Sequence, residues 1–223
     1  MAVVTVDFDG TLYKGNSFNA MFQLAKKEFG IKEWSIVMSG LMKAALLGTV
    51  KGKNEFRKQF FLAFAKSFKG KTKSEMDHFF HELVQIGKED INEELVDKIS
   101  EHLQKGHDVI IVSGALEPFL QAFIREVNLD VPVLSSQILY NKEGVCTGEV
   151  SEFVNGEVKV KKIKDWMSEA GEQEGNYQNN RAVWAYADSE SDLPLFQYAT
   201  YPIVVNPDKE MRAVAEKNGW PVF

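Results

Sequence analysis

Residues 3–18 read VVTVDFDGTLYKGNSF, an apolar run of β-forming residues that ends on two aspartates one residue apart. Successive side chains of an extended strand point to opposite faces, so Asp7 and Asp9 project together to one side. Gly10 then turns the chain. Two like carboxylates held close are unfavourable unless a cation lies between them or one keeps its proton. A strand closed by an Asp-Gly turn uses one of these aspartates and leaves the other, and Thr11, without a purpose. A calcium loop of alternating acids needs a third acid and a terminal glutamate in register, and neither follows.

Outward from this stretch, residues 2–7 predict a short buried strand, apolar on both faces. From Phe18 to about Ile86 the pattern changes. FNAMFQLAKKEF, WSIVMSGLMKAALL, NEFRKQFFLAFAKSF and SEMDHFFHELVQI carry apolar residues at helical spacing, with breaks at Gly30, Gly48 to Gly52 and Gly70. The later chain alternates helices with apolar strands such as HDVIIVSG, RAVWAYADS and YPIVVNP, the pattern of a parallel sheet. The first strand is thus separated from the next by about a hundred residues, where an ordinary crossover needs about a dozen. These features predict an α/β fold, a Rossmann-like parallel sheet with helices on both faces and an inserted all-helical cap. Residues 1–15 and 88–223 form the core domain and 16–87 the cap, with hinges near Gly15 and Gly87.

The 223 residues include 26 Lys and Arg against 32 Asp and Glu, a net charge of −6 that argues against nucleic acid or an anionic membrane as partner. The single cysteine, Cys146, allows no intrachain disulfide and fits the cytoplasm, where it reads as a small buried hydrophobe. MAVVTVDF lacks a basic region and meets Asp7 too early for a signal peptide. The most apolar segment, Trp34–Val50, contains Lys43 and two glycines and is too short for a membrane span, so it is expected to be a buried helix forming the core of the cap.

Three more positions carry chemistry. Ser113 follows a buried strand and is read as the cap of the next helix, a place where anions also bind. Lys159 opens a basic helix whose other lysines are expected to be solvated. Asp188 ends an apolar strand at the position that Asp7 has on the first. Together with Asp7 and Asp9 these residues offer carboxylates to a hard cation and a hydroxyl and an ammonium to an anion, a set suited to Mg2+ and phosphate.

In this order DFDGT (7–11), IVSG (111–114), GEVKV (156–160) and YADSESDLPLF (186–196) resemble the four motifs of the haloacid dehalogenase superfamily. The helical insert and the tail are similar to its phosphoserine-phosphatase-like branch. The resemblance implies that Asp7 is a nucleophile forming an aspartyl-phosphate and that Asp9 is its general acid and base. It implies that Mg2+ is held by Asp7, the Asp9 carbonyl and Asp188, with Thr11 and Asp192 beside them. Ser113, the Gly114 N–H and Lys159 would bind the phosphoryl oxygens. Dehalogenating members lack the second aspartate, since a halide leaves without a proton, and Asp9 therefore favours phosphate chemistry. Asn16 stands where the phosphoserine phosphatases have a glutamate for the substrate's amino group, and Gly10 where they commonly have serine. This makes a small phosphomonoester other than phosphoserine the expected substrate, with Asn16 and Arg57 as candidate contacts. A lipid phosphate, a phosphotransferase or mutase reaction, and a non-catalytic phosphate-binding role are the alternatives.

Overall fold

The computed structural model describes residues 1–173 and 181–223, with the side chains at 48, 50, 51, 53 and 171–173 outside the description. Its strands are β1 (Val3–Val6), β2 (Asp108–Leu116), β3 (Val133–Ser136), β4 (Ile138–Tyr140), β5 (Cys146–Val150), β6 (Val183–Ala187) and β7 (Tyr201–Val204). Five of them form one sheet in the order β3-β2-β1-β6-β7, every neighbouring pair parallel, while β4 and β5 make an antiparallel hairpin.

Strand alternation divides the core into two layers. Val4, Val6, Val109 and Ile111 pack against α5 (Glu93–Gln104) and α6 (Glu117–Glu126). Val3, Ile110 and Val112 face the other way, onto α7 (Glu157–Gln173), α8 (Leu193–Tyr198) and α9 (Lys209–Asn218). β1 is buried from both sides, so valine dominates it, and the hydroxyl of its one polar residue, Thr5, donates to the Trp184 carbonyl at 3.0 Å.

Between β1 and β2 lie α1 (Ser17–Glu28), α2 (Ile31–Lys51), α3 (Lys53–Ser67) and α4 (Lys73–Ile86), the helical cap. Its entry and exit run side by side: the Lys14 N–H donates to the Asp90 carbonyl at 2.7 Å and the Asn92 N–H to that of Leu12 at 3.0 Å. Helix α4 begins with a capping box, in which Thr72 and Glu75 satisfy each other's main-chain donors. The turn after α3 is tied to the hairpin by Gly70 N–H to the Cys146 carbonyl at 2.9 Å and Cys146 N–H to that of Lys71 at 2.8 Å.

Three sequence expectations are corrected. Helix α2 continues through Gly48, and the chain breaks only at Gly52, whose φ of +87° disfavours other residues. The segment Trp34–Val50 is not the buried core of the cap. Val37 and Ala44 are buried, but Met38, Met42 and Leu46 are 47%, 67% and 72% exposed. The cause is that α2 packs mainly against α3, so one stripe is covered and the opposite one is not. At the covered stripe the helices approach so closely that a Cβ on Gly40 would strike that of Ala63. Finally, Ser113 is not a helix cap. β2 runs on to Leu116 and α6 opens at Glu117, so the Ser113 hydroxyl instead accepts from the Ala115 N–H at 3.2 Å. Among the described residues no helix is long and apolar enough to cross a membrane.

Candidate active site

Sheet register brings the acidic strand ends together. Val6 lies opposite Ile111 on one side and Tyr186 on the other, and the Asp7 N–H still donates to the Tyr186 carbonyl at 2.8 Å. Asp7, Ser113 and Asp188 therefore emerge at the same carboxyl edge, where open α/β sheets bind ligands. Gly10 makes the turn there with φ of +79°, and a Cβ on it would collide with the Asp188 carboxylate. The absence of a side chain at this position is thus required twice, by conformation and by space.

Lys159 enters from the first turn of α7 and is 2% exposed. Its Nζ donates to Asp7 Oδ1 at 2.8 Å and to Asp192 Oδ1 at 2.6 Å. Asp192, fully buried, also accepts from the Ser189 hydroxyl at 2.9 Å. The Thr11 hydroxyl donates to Asp188 Oδ1 at 3.3 Å. Asp9 lines the same cleft but has a different partner: its two oxygens accept from the Ser17 N–H at 2.7 Å and the Ser17 hydroxyl at 2.6 Å. Adjacent carboxylates thus have separate partners, Lys159 for Asp7 and Ser17 for Asp9.

One oxygen each of Asp7, Asp188 and Asp192 lie within 4.8 Å of one another. Three carboxylates against one buried ammonium leave the cluster short of positive charge, and the proton affinities register it. Burial pushes the Asp7 carboxyl well above the usual range, with Asp192 and Asp188 adding to the shift against Lys159. Asp188 is pushed up to about 7 by burial and by Asp192. Burial alone would favour neutral Lys159, but Asp192 and Asp7 outweigh it and raise its pKa. Asp9 is raised by burial, against the pull of Ser17 and Arg57. All-oxygen donors with surplus negative charge suit a hard divalent cation. The Asp9 carboxylate stands outside this trio, whereas Asp192 stands inside it.

A narrow cleft of about 40 Å3 lies above Asp7, and Ser113, Gly114 and Lys159 line it together with Asn155 and Ser191. Phe61 of the cap and Phe153 of the core close it, their ring centroids 6.1 Å apart. Arg57 lines this cleft and also a larger cap cavity of about 570 Å3 that opens beside Asp9. Asn16 lines the cavity too, but its side-chain oxygen caps α1 by accepting from the Phe18 N–H at 2.9 Å. That leaves its amide group as what it can offer a ligand.

Several of these residues escape sequence reasoning. Ser17 and Ser189 hold aspartates but look like ordinary helix-start residues. Asn155 and Phe153 lie on the loop before α7 and have no motif of their own. Ser189 alone carried a signal, since it falls inside the acidic stretch after β6.

Comparison with known proteins bears on the family and the fold. The family model for haloacid dehalogenase-like hydrolases matches residues 4–197. A probable phosphatase of Mycobacterium tuberculosis is 32% identical over 130 residues, 58% of this chain and 42% of that protein. A phosphoserine phosphatase of the same organism is 25% identical over 150 residues, 63% of this chain and 46% of the relative. The alignments thus span about half the length of these relatives. Among solved structures, a Bordetella pertussis protein of unknown function superposes with a TM-score of 0.78 at 21% identity, over 100% of this chain and 97% of that one. A phosphoserine phosphohydrolase-like protein from Francisella tularensis gives 0.62 at 19% identity, over 100% and 95%. The chain belongs to the haloacid dehalogenase-like hydrolases.

Proposed function

We propose that the protein is a Mg2+-dependent phosphomonoester hydrolase acting through an aspartyl-phosphate on Asp7. The observation that carries this reading is the separation of the two neighbouring carboxyls, Asp7 on buried Lys159 and Asp9 on Ser17. Asp7 Oδ attacks phosphorus in line, forming the O–P bond as the bond to the leaving oxygen breaks. The Asp9 carboxyl, whose proton affinity burial raises, gives its proton to that oxygen. Asp9 then takes a proton from water as the water oxygen attacks phosphorus, the bond to Asp7 breaks, and inorganic phosphate leaves. Lys159, the Ser113 hydroxyl and the Gly114 N–H bind the phosphoryl oxygens. Arg57, exposed at the cap side of the cleft, supplies a second cation. Asp7, the Asp9 carbonyl and Asp188 would hold Mg2+, with Asp192 and Thr11 supporting them. A bound Mg2+ would neutralise the crowded carboxylates and the charge on the transferring group.

Residues 16–87 act in this reading as the cap and 1–15 with 88–223 as the core, joined through the paired segments near Gly15 and Gly87. The cap shields the cleft from water through Phe61. We place the protein in the cytoplasm, consistent with its lone buried Cys146.

The test is phosphate release from a panel of phosphomonoesters, including sugar phosphates, nucleotides and phosphoserine. Release is expected with Mg2+ and is expected to fall at least about a hundredfold in EDTA. Equal rates in EDTA would overturn the metal requirement. The charge imbalance gives a second expectation, read without any substrate. Mg2+ at a hundred times its Kd should stabilise the fold by about 2.7 kcal/mol. That corresponds to a Tm rise of roughly 5–10 °C, and Asp188→Asn should remove most of it. A metal-insensitive Tm in the wild-type chain would count against the site.

A further inference from the structure

We infer that the cap cavity selects phosphomonoesters whose leaving group has an apolar or aromatic body and carries no ammonium group. This rests on the hydrolase reading above and narrows it to a substrate class.

The cavity is built by the start of α1, the end of α2 and the start of α3, and it opens beside Asp9, where the leaving oxygen would receive its proton. Its volume of about 570 Å3 falls in the range of sites that hold drug-sized ligands and far exceeds the needs of a three-carbon ester. Phe18, Phe56, Phe61 and Ala45 supply the apolar wall. The wall is fixed in place: the Phe18 ring lies 3.6 Å from Phe60 and 5.7 Å from Phe56 between centroids, and Phe60 in turn lies 4.5 Å from Phe64. An apolar ligand therefore gains burial without first ordering the side chains that receive it.

The polar groups decide the rest. Arg57 is the one cation among the described lining residues, and Asp9 the one acid. Each Asp9 oxygen accepts one bond from Ser17, and in the reading above this carboxyl is further committed to the proton of the leaving oxygen. A substrate ammonium in this cavity would meet Arg57 as a like charge and would have to compete for the one carboxyl that serves the leaving oxygen, and an incompletely paired buried charge is costly. The side chain at position 16, an amide engaged as the α1 cap, supplies no counter-charge either. An uncharged body against the phenylalanines meets neither penalty.

Binding of non-hydrolysable phosphonates to the Mg2+-loaded protein, followed by calorimetry, separates this inference from the catalytic reading. Benzylphosphonate or octylphosphonate should bind at least about tenfold more tightly than methylphosphonate, and 2-aminoethylphosphonate no more tightly than methylphosphonate. Preference for the benzyl compound assigns an aromatic body, and preference for the octyl compound an alkyl chain. Phe56→Ala should reduce the discrimination to about threefold or less. Ala45→Asp, on an exposed helical face, should move 2-aminoethylphosphonate ahead of methylphosphonate by supplying the missing counter-charge. Equal binding of all four compounds, binding of none, or a wild-type preference for 2-aminoethylphosphonate overturns the inference. Apolar preference without hydrolysis of benzyl or octyl phosphate would sink the hydrolase reading and leave the cavity's selectivity standing. Turnover with flat phosphonate selectivity would do the reverse.

Discussion

Asp7→Asn should lower phosphate release from every substrate by about four orders of magnitude or more, because the amide has no anionic oxygen with which to attack phosphorus. The substitution is nearly isosteric, and its carbonyl oxygen can still accept from Lys159, which donates to Asp7 Oδ1 at 2.8 Å. Loss of folding is therefore not the expected cause of lost activity. Stability provides the control. The Asp7 carboxyl is raised well above its usual range by burial and by Asp192 and Asp188, so at neutral pH the metal-free fold carries this carboxylate at a cost. Removing the charge should leave the Tm in EDTA unchanged or higher, and should shrink the Mg2+-induced rise. Asp9→Asn should differ in kind. It keeps the nucleophile but loses the proton donor, so esters of acidic alcohols, whose leaving oxygen needs no proton, should suffer least. A variant Asp7→Asn retaining more than about 1% of wild-type turnover would refute the nucleophile assignment.

The strand ends of this site were legible in the residue pattern itself. Asp7 and Asp188 follow apolar runs, and two parallel strands in register must deliver their ends to the same edge. Ser113 was legible by position and misread in role, because β2 does not stop at the serine but runs three residues past it. Helix α2 was misread for a different reason. Hydropathy records how apolar a segment is, not how many neighbours cover it, and a helix lying mainly on α3 keeps Met42 and Leu46 exposed despite their chemistry. Among the partners of the site residues, Thr11 and Asp192 were legible through the motif resemblance and Ser17 was not. Ser17 reaches Asp9 only because the chain turns at Gly10 and α1 starts beneath it, and Asp192 joins Asp7 only through the turn after β6. The cap cavity likewise depends on how α1, α2 and α3 splay, which no single helix pattern encodes.

Lys159→Met should damage the metal-free fold more than any neutralisation of an acid in the cluster. Methionine fills much of the same space with no charge, leaving Asp7 and Asp192 facing each other with nothing between them. Removing one partner from a buried ion pair typically costs about 3–5 kcal/mol. Here the carboxylates can answer by taking up protons, so roughly 2–4 kcal/mol is expected at neutral pH in EDTA. For a chain of this size that is a Tm loss of about 5–15 °C. The pH dependence has a definite sign. Asp7 and Asp188 have folded pKa values above their unfolded ones, so the folded state binds the extra protons and stability falls as pH rises through the folded values. With the ammonium gone these values rise further. The deficit of the variant should therefore be greatest above pH 7, the region of Asp188 at about 7, and should shrink steadily toward pH 5. Mg2+ should restore part of the lost Tm, since a cation among the same carboxylates relieves the same repulsion. It should not restore activity, which loses an ammonium at the phosphoryl oxygens and is expected to fall about a hundredfold to a thousandfold. Thermal melts at three pH values, with and without Mg2+, decide the matter. A Tm in EDTA at pH 8 equal to that of the wild type would mean that Lys159 does not balance the acidic cluster.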